Sequence, residues 1–148
     1  MATHPYRNII PAIKTLLEAE SDVTDIFEAE IYEGLEPAEY INPNRKRPFL
    51  NIFPEVRPIE IEYAHRREGE LIVNIDVIDQ IDITDNIVIY DKVIPVEEVI
   101  YTTTNQTLNF NNGDSARYQR ISEVPAIDLG NRFKILGIQI LYRYLQNK

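Results

Sequence analysis

In two stretches of this chain apolar residues recur at every second position, a pattern that fits strands of a sheet with one buried face and little else. Leu71, Val73, Ile75 and Val77 take one side of an extended chain, while Ile72, Asn74 and Asp76 take the other. Between Ile135 and Leu145, the residues Ile138, Ile140, Tyr142 and Tyr144 share a side opposite Gln139, Leu141, Arg143 and Leu145. A sheet of this kind needs a cover. Asn8 to Glu20 supplies it, because Ile9, Ile10, Ile13, Leu16 and Leu17 form a stripe at helical spacing. Pro11 suits the first turn of that helix, where its missing N–H costs nothing.

The remaining segments complete an α+β domain. Val23–Tyr32 reads as a strand through the alternation of Phe27, Ala29 and Ile31, although its Glu and Ala content also favours helix. Glu33 to Lys46, broken by Gly34, Pro37 and Pro43, reads as a long loop, and Pro48–Phe53 as a short strand. Glu60–Ala64 is a further strand, joined to the 71–77 strand by a hairpin turn at Arg66-Arg67-Glu68-Gly69. Residues 80–110 are expected to hold a strand, then a connection with room for one helix. Their β-branched content favours strand, yet Ile89, Val93, Val96 and Ile100 fall near helical spacing, and Pro95 interrupts either. Asn112-Gly113 is the strongest hairpin signal in the chain. The expected fold is an N-terminal amphipathic helix on a mostly antiparallel sheet, with room for one further helix in the middle. It spans 1–148 as a single domain, a length that buries about two thirds of the unfolded surface.

Charge and composition narrow the function. The net charge of -9 opposes nucleic-acid binding by the whole surface. With no cysteine, disulfides, thiolate metal sites and cysteine nucleophiles are excluded together. No leader-like segment opens the sequence, and no apolar stretch is long enough to span a membrane. Asp76, Asp79, Asp82 and Asp85 offer hard-metal ligands, but their spacing alternates sides of a strand, so the set does not converge. His4 and His65 stand in no acid–base arrangement, and phosphate-cradling, dinucleotide and zinc-protease motifs are lacking. Asn105-Gln106-Thr107 matches a glycosylation acceptor only by composition. The expectation is therefore no enzyme, no cofactor and no metal.

The charges are segregated. No basic residue lies between Lys14 and Arg45, a span carrying Glu18, Glu20, Asp22, Asp25, Glu28, Glu30, Glu33, Glu36 and Glu39. Arg45-Lys46-Arg47 follows at once, then Arg57, Arg66 and Arg67. Opposed patches of this kind set register between neighbouring protein surfaces. Nine tyrosines without a tryptophan also suit interfaces, since the ring packs while its hydroxyl stays hydrated.

The order of elements carries a resemblance. The helix NIIPAIKTLLEA, the segment VTDIFEAEIY, a Pro- and Asn-rich loop leading to PFLNIF, the alternating LIVNIDVID and the closing ILGIQILYRYL together resemble the tail-terminator, or tail-completion, proteins of tailed bacteriophages. Related neck and head–tail joining proteins are similar. The resemblance implies a virion protein, assembled in the host cytoplasm, whose copies form a ring, usually hexameric, on the head-proximal end of the tail tube. Its implied partners are its own copies, the tail-tube protein and the head connector, with DNA passing the lumen without sequence-specific binding. A tail-tube, baseplate or neck adaptor, or a non-viral protein-binding adaptor, is the alternative. By layout, the contacts fall in the 33–47 loop, the 64–70 turn and the 105–116 loop. Glu28, Glu30 and Glu33 of one copy are expected to face Arg45, Lys46, Arg47, Arg66 or Arg67 of the next. Reversing the charge of Arg45, Lys46 and Arg47 is expected to weaken the ring and leave the monomer folded.

Overall fold

A computed structural model describes residues 4–80, 87–130 and 133–147. Its centre is a pair of antiparallel strands, β3 (Arg66–Gln80) and β6 (Phe133–Asn147), matched residue for residue from Arg66↔Asn147 to Gln80↔Phe133. At strand rise each is about 50 Å long. β2 (Phe49–Glu62) flanks β3, and β5 (Ser115–Gly130) flanks β6, both antiparallel. Two three-residue strands finish the six-stranded order β1-β2-β3-β6-β5-β4. They are β1 (Ile31–Glu33), which is parallel to β2, and β4 (Thr107–Asn109), antiparallel to β5.

Three helices cover one face: α1 (Tyr6–Glu18), α2 (Ser21–Phe27) and α3 (Ile87–Tyr101). Ile9, Ile13 and Leu17 of α1 meet Leu71, Val73, Ile75 and Val77 of β3 and Leu136, Ile138, Ile140 and Tyr142 of β6 in one core. Both alternating stretches thus turn their expected side to the helices, and the fold is α+β as expected. On the opposite face Tyr40, Phe49 and Ile78 form a small second core.

Several boundaries move, each for a physical reason. α1 begins at Tyr6, two residues before the expected start, with Pro5 at the cap and the Tyr6 N–H donating to His4 Nδ1 at 3.2 Å. Most of the expected 23–32 strand is helix. Val23 and Phe27, four apart, are both buried, and that pairing outweighs the short alternation; only Ile31 onward is strand. Glu28, at φ 55, ends α2. The expected loop contains a 3₁₀ turn at Pro37–Ile41. The expected turn at Arg66–Gly69 lies inside β3, and the chain reverses at 63–66, where Tyr63 N–H donates to Arg66 O at 2.7 Å. Pairing with β6 runs past Gly69, which sits opposite Tyr144, so the glycine is held in the ladder. The expected 48–53 and 60–64 strands belong to one strand, Phe49–Glu62, with a register shift between Val56 and Glu60.

Where the β-branched content led to an expected strand, residues 87–101 form α3, because Ile89, Val93, Val96, Val99 and Ile100 are buried at helical spacing despite Pro95. Residues 81–86, with Asp82 and Asp85, lie outside the described residues. The Asn112-Gly113 reading holds: φ values of 65 and 74 reverse the chain between β4 and β5.

Phe27 fastens α2 to the core with 1% of its surface exposed. Phe27→Ala is expected to lower unfolding free energy by about 3–5 kcal/mol in urea denaturation. A loss below about 1 kcal/mol would contradict the burial of Phe27 in the core.

Candidate interaction surface

The segment between β1 and β2 folds back over the sheet face that the helices leave bare. Gly34, at φ 65, turns the chain out of β1, and Tyr40 plants the loop. The Tyr40 hydroxyl donates to Asp76 Oδ2 at 2.8 Å and accepts from Asn51 Nδ2 at 2.7 Å. Asn51 Oδ1 accepts the Leu35 N–H at 2.8 Å. Burial pushes the Tyr40 phenol up and the Asp76 carboxyl up, the latter opposed by the Tyr40 hydrogen bond. Asp76 is thus a loop anchor.

The basic run is spent largely inside its own chain. Arg47 donates to the carbonyls of Arg45, Tyr40 and Asn42 at 2.8 Å each, and its guanidinium lies 3.8 Å from the Phe133 ring centroid. Arg45 pairs with Glu39 at 2.7 Å and lies 4.7 Å from the Tyr32 ring centroid. Lys46 pairs with Glu28, and the Tyr32 hydroxyl donates to Glu30. The acidic and basic patches therefore already meet within one molecule. Lys46 and Glu28 are both more than half exposed and remain open to a partner. Arg47 is different: its removal would orphan three carbonyls, so the triple charge reversal would damage the loop itself.

Arg66 and Arg67 lie at the far end of the sheet, roughly 35–40 Å from the 45–47 run at strand rise. Arg66 pairs with Glu68 at 3.2 Å and sits 5.0 Å from the Tyr63 ring centroid. Glu33 is exposed at the end of β1, beside a cleft of about 260 Å³ that Tyr6, Arg7, Ile10 and Pro54 also line. The eight residues singled out in the sequence thus fall at two separate places. His65 is exposed in the 63–66 turn. Asn105, in the expected 105–116 contact loop, donates to the Val99 carbonyl at 2.8 Å and closes the end of α3.

Three features escaped the sequence reading. The outer side of α3 displays Tyr90, Ile94 and Tyr101, respectively 36%, 48% and 43% exposed, an apolar strip open to a partner. Asp79, buried in β3, pairs with Lys92 and ties α3 to the sheet. Glu97 of α3 packs against Glu123 of β5. Burial, then the hydrogen bond and charge of Glu123, push the Glu97 carboxyl up to about 8. Among the described residues, no group of three or more His, Cys, Asp or Glu could hold a metal ion.

No protein-family model matches the chain, and no curated protein matches it in sequence. Solved structures do share its fold. A chain of the virion of a native gene transfer agent particle superposes with a TM-score of 0.57 at 11% identity, covering 95% of each chain. A second solved structure superposes with a TM-score of 0.54 at 14% identity, covering 90% of this chain and 94% of the other. The likeness is one of fold and extends over nine-tenths or more of each chain.

The Glu97–Glu123 contact gives a pH dependence with a definite sign. The folded chain holds a proton on Glu97 that the unfolded chain releases near pH 4.5, so stability falls as pH rises from there towards 8. Glu97→Gln removes that penalty. It is expected to raise the melting temperature by about 3 °C or more at pH 8 and to change it little at pH 4.5. Equal shifts at both pH values would contradict the assignment.

Proposed function

We propose that this chain is a structural virion protein of a phage-like particle, acting by assembly rather than catalysis. Within that reading, its copies form a closed ring, hexameric by resemblance to tail terminators, that caps the tail tube and meets the head connector. The observation that carries the proposal is the end-to-end likeness to a chain of a gene transfer agent virion, 95% of both chains. The order of sequence elements pointed to the same class of protein independently.

The surface chemistry suits this role. A ring of identical subunits needs one patch to meet a different patch on its neighbour and close after a fixed rotation. Affinity then comes from aromatic and aliphatic contacts, such as the Tyr90, Ile94 and Tyr101 strip, while charge sets orientation. DNA would pass the lumen without sequence-specific contacts.

Negative-stain microscopy of the purified chain over a concentration series tests the proposal. Closed rings of uniform subunit number are expected. A chain that stays monomeric at every concentration, with and without a tail-tube or connector partner, would overturn it.

A further inference from the structure

The two lateral edges of the sheet are largely unpaired. β1 covers only Leu50–Ile52 of β2, and β4 covers only Ser115–Arg117 of β5. On the β5 edge the Tyr118 N–H still donates to Gln106 O at 2.7 Å, and beyond these contacts the main chain of β2 from Phe53 and of β5 from Gln119 has no strand beside it among the described residues. Open edges of this length invite pairing unless something blocks or uses them.

The β2 edge is partly blocked. Leu50 N–H donates outward to Glu30 O, and Ile52 O accepts outward from Gly34 N–H, so the outward positions alternate and Pro54 is the next one. Its missing N–H interrupts any continuous main-chain ladder on that side while leaving the β3 ladder intact. A neighbour at this edge is therefore chosen by side chains.

One cross-strand row shows which side chains. Glu55 of β2 pairs in register with Ile72 of β3, Ile72 with Leu141 of β6, and Leu141 with Arg120 of β5. Glu55 and Arg120 thus end the same row on the same face, at opposite edges, and both are exposed. Three strand spacings, about 14 Å, keep them from meeting within one chain. Neither forms an ion pair with another described residue.

We infer that neighbouring copies in the assembly meet edge to edge, β5 of one beside β2 of the next, with Arg120 facing the next copy's Glu55. The inference rests on the ring reading above and names its interface. Strand direction supports it. In the order β2, β3, β6, β5 each strand opposes the last, so repetition about an axis along the strands places β5 antiparallel to the next β2. The sheet's own alternation continues across the contact. Charge disfavours the two-fold alternatives: β5 against β5 centred on Arg120 sets that arginine against its own copy, and β2 against β2 centred on Glu55 does the same to the glutamate. A head-to-tail contact also presents one free edge at each end, as a ring requires.

Light scattering through a dilution series of the full chain tests the contact. Arg120→Glu and Glu55→Arg, both at exposed positions, are expected to melt like the native chain. Each is expected to raise the half-assembly concentration by about tenfold or more. Combining the two in one chain, or mixing the two single variants, is expected to restore assembly at the native net charge. If the native chain assembles but Arg120→Glu assembles equally well, or the combined chain is not restored, the edge contact is overturned while the ring stands. If the native chain never assembles, the ring reading fails and this interface with it.

Discussion

The fifteen-residue register between β3 and β6 is the constraint from which the other features follow. Side chains alternate across the sheet, so one slip would move every core residue to the wrong face. Leu71, Val73, Ile75 and Val77, opposite Tyr142, Ile140, Ile138 and Leu136, fix that register on the helical side. The other side of the same pair carries Asp76 opposite Gly137, where a Cβ would come within 3.3 Å of Asp76 Oδ1 and 3.4 Å of Val124 Cβ. Glycine leaves Asp76 room to receive the Tyr40 hydroxyl. The folded-back loop is thus seated by the same register that builds the core.

Charge serves this chain in two ways. Buried or half-buried groups hold elements together: Asp79 and Lys92 join β3 to α3, and Arg47 gathers the carbonyls of its own loop. The exposed Glu55 and Arg120, at opposite sheet edges, form no ion pair among the described residues. Glu97 stands between the two classes. A carboxyl that keeps its proton against Glu123 makes the contact between α3 and β5 weaker as the solution becomes alkaline. In the assembly proposed above, this lies on the strand that offers its free edge.

The long strands and α1 were legible because burial on one side writes a period into the sequence. The 23–32 segment was not, because two periods coexist there: Phe27, Ala29 and Ile31 alternate, while Val23 and Phe27 lie one helical turn apart, and the core takes the second. The turn near residue 66 was misplaced since Arg-Arg-Glu-Gly is turn-like locally, whereas the β6 partner that straightens it is far away in sequence. The acidic and basic runs were visible, but their mutual pairing through Lys46–Glu28 and Arg45–Glu39 depends on a loop whose path is set by Tyr40 and Asp76. The Glu55–Arg120 row was invisible for the same reason, since it needs three strand registers at once.

Native-state hydrogen exchange tests the primacy of the β3–β6 register most directly. Amides of Leu71–Ile78 and Leu136–Tyr142 are expected to exchange only through global unfolding, more slowly than those of α1 and α3. Exchange of these strands through a smaller opening, with the helices still protected, would contradict the account.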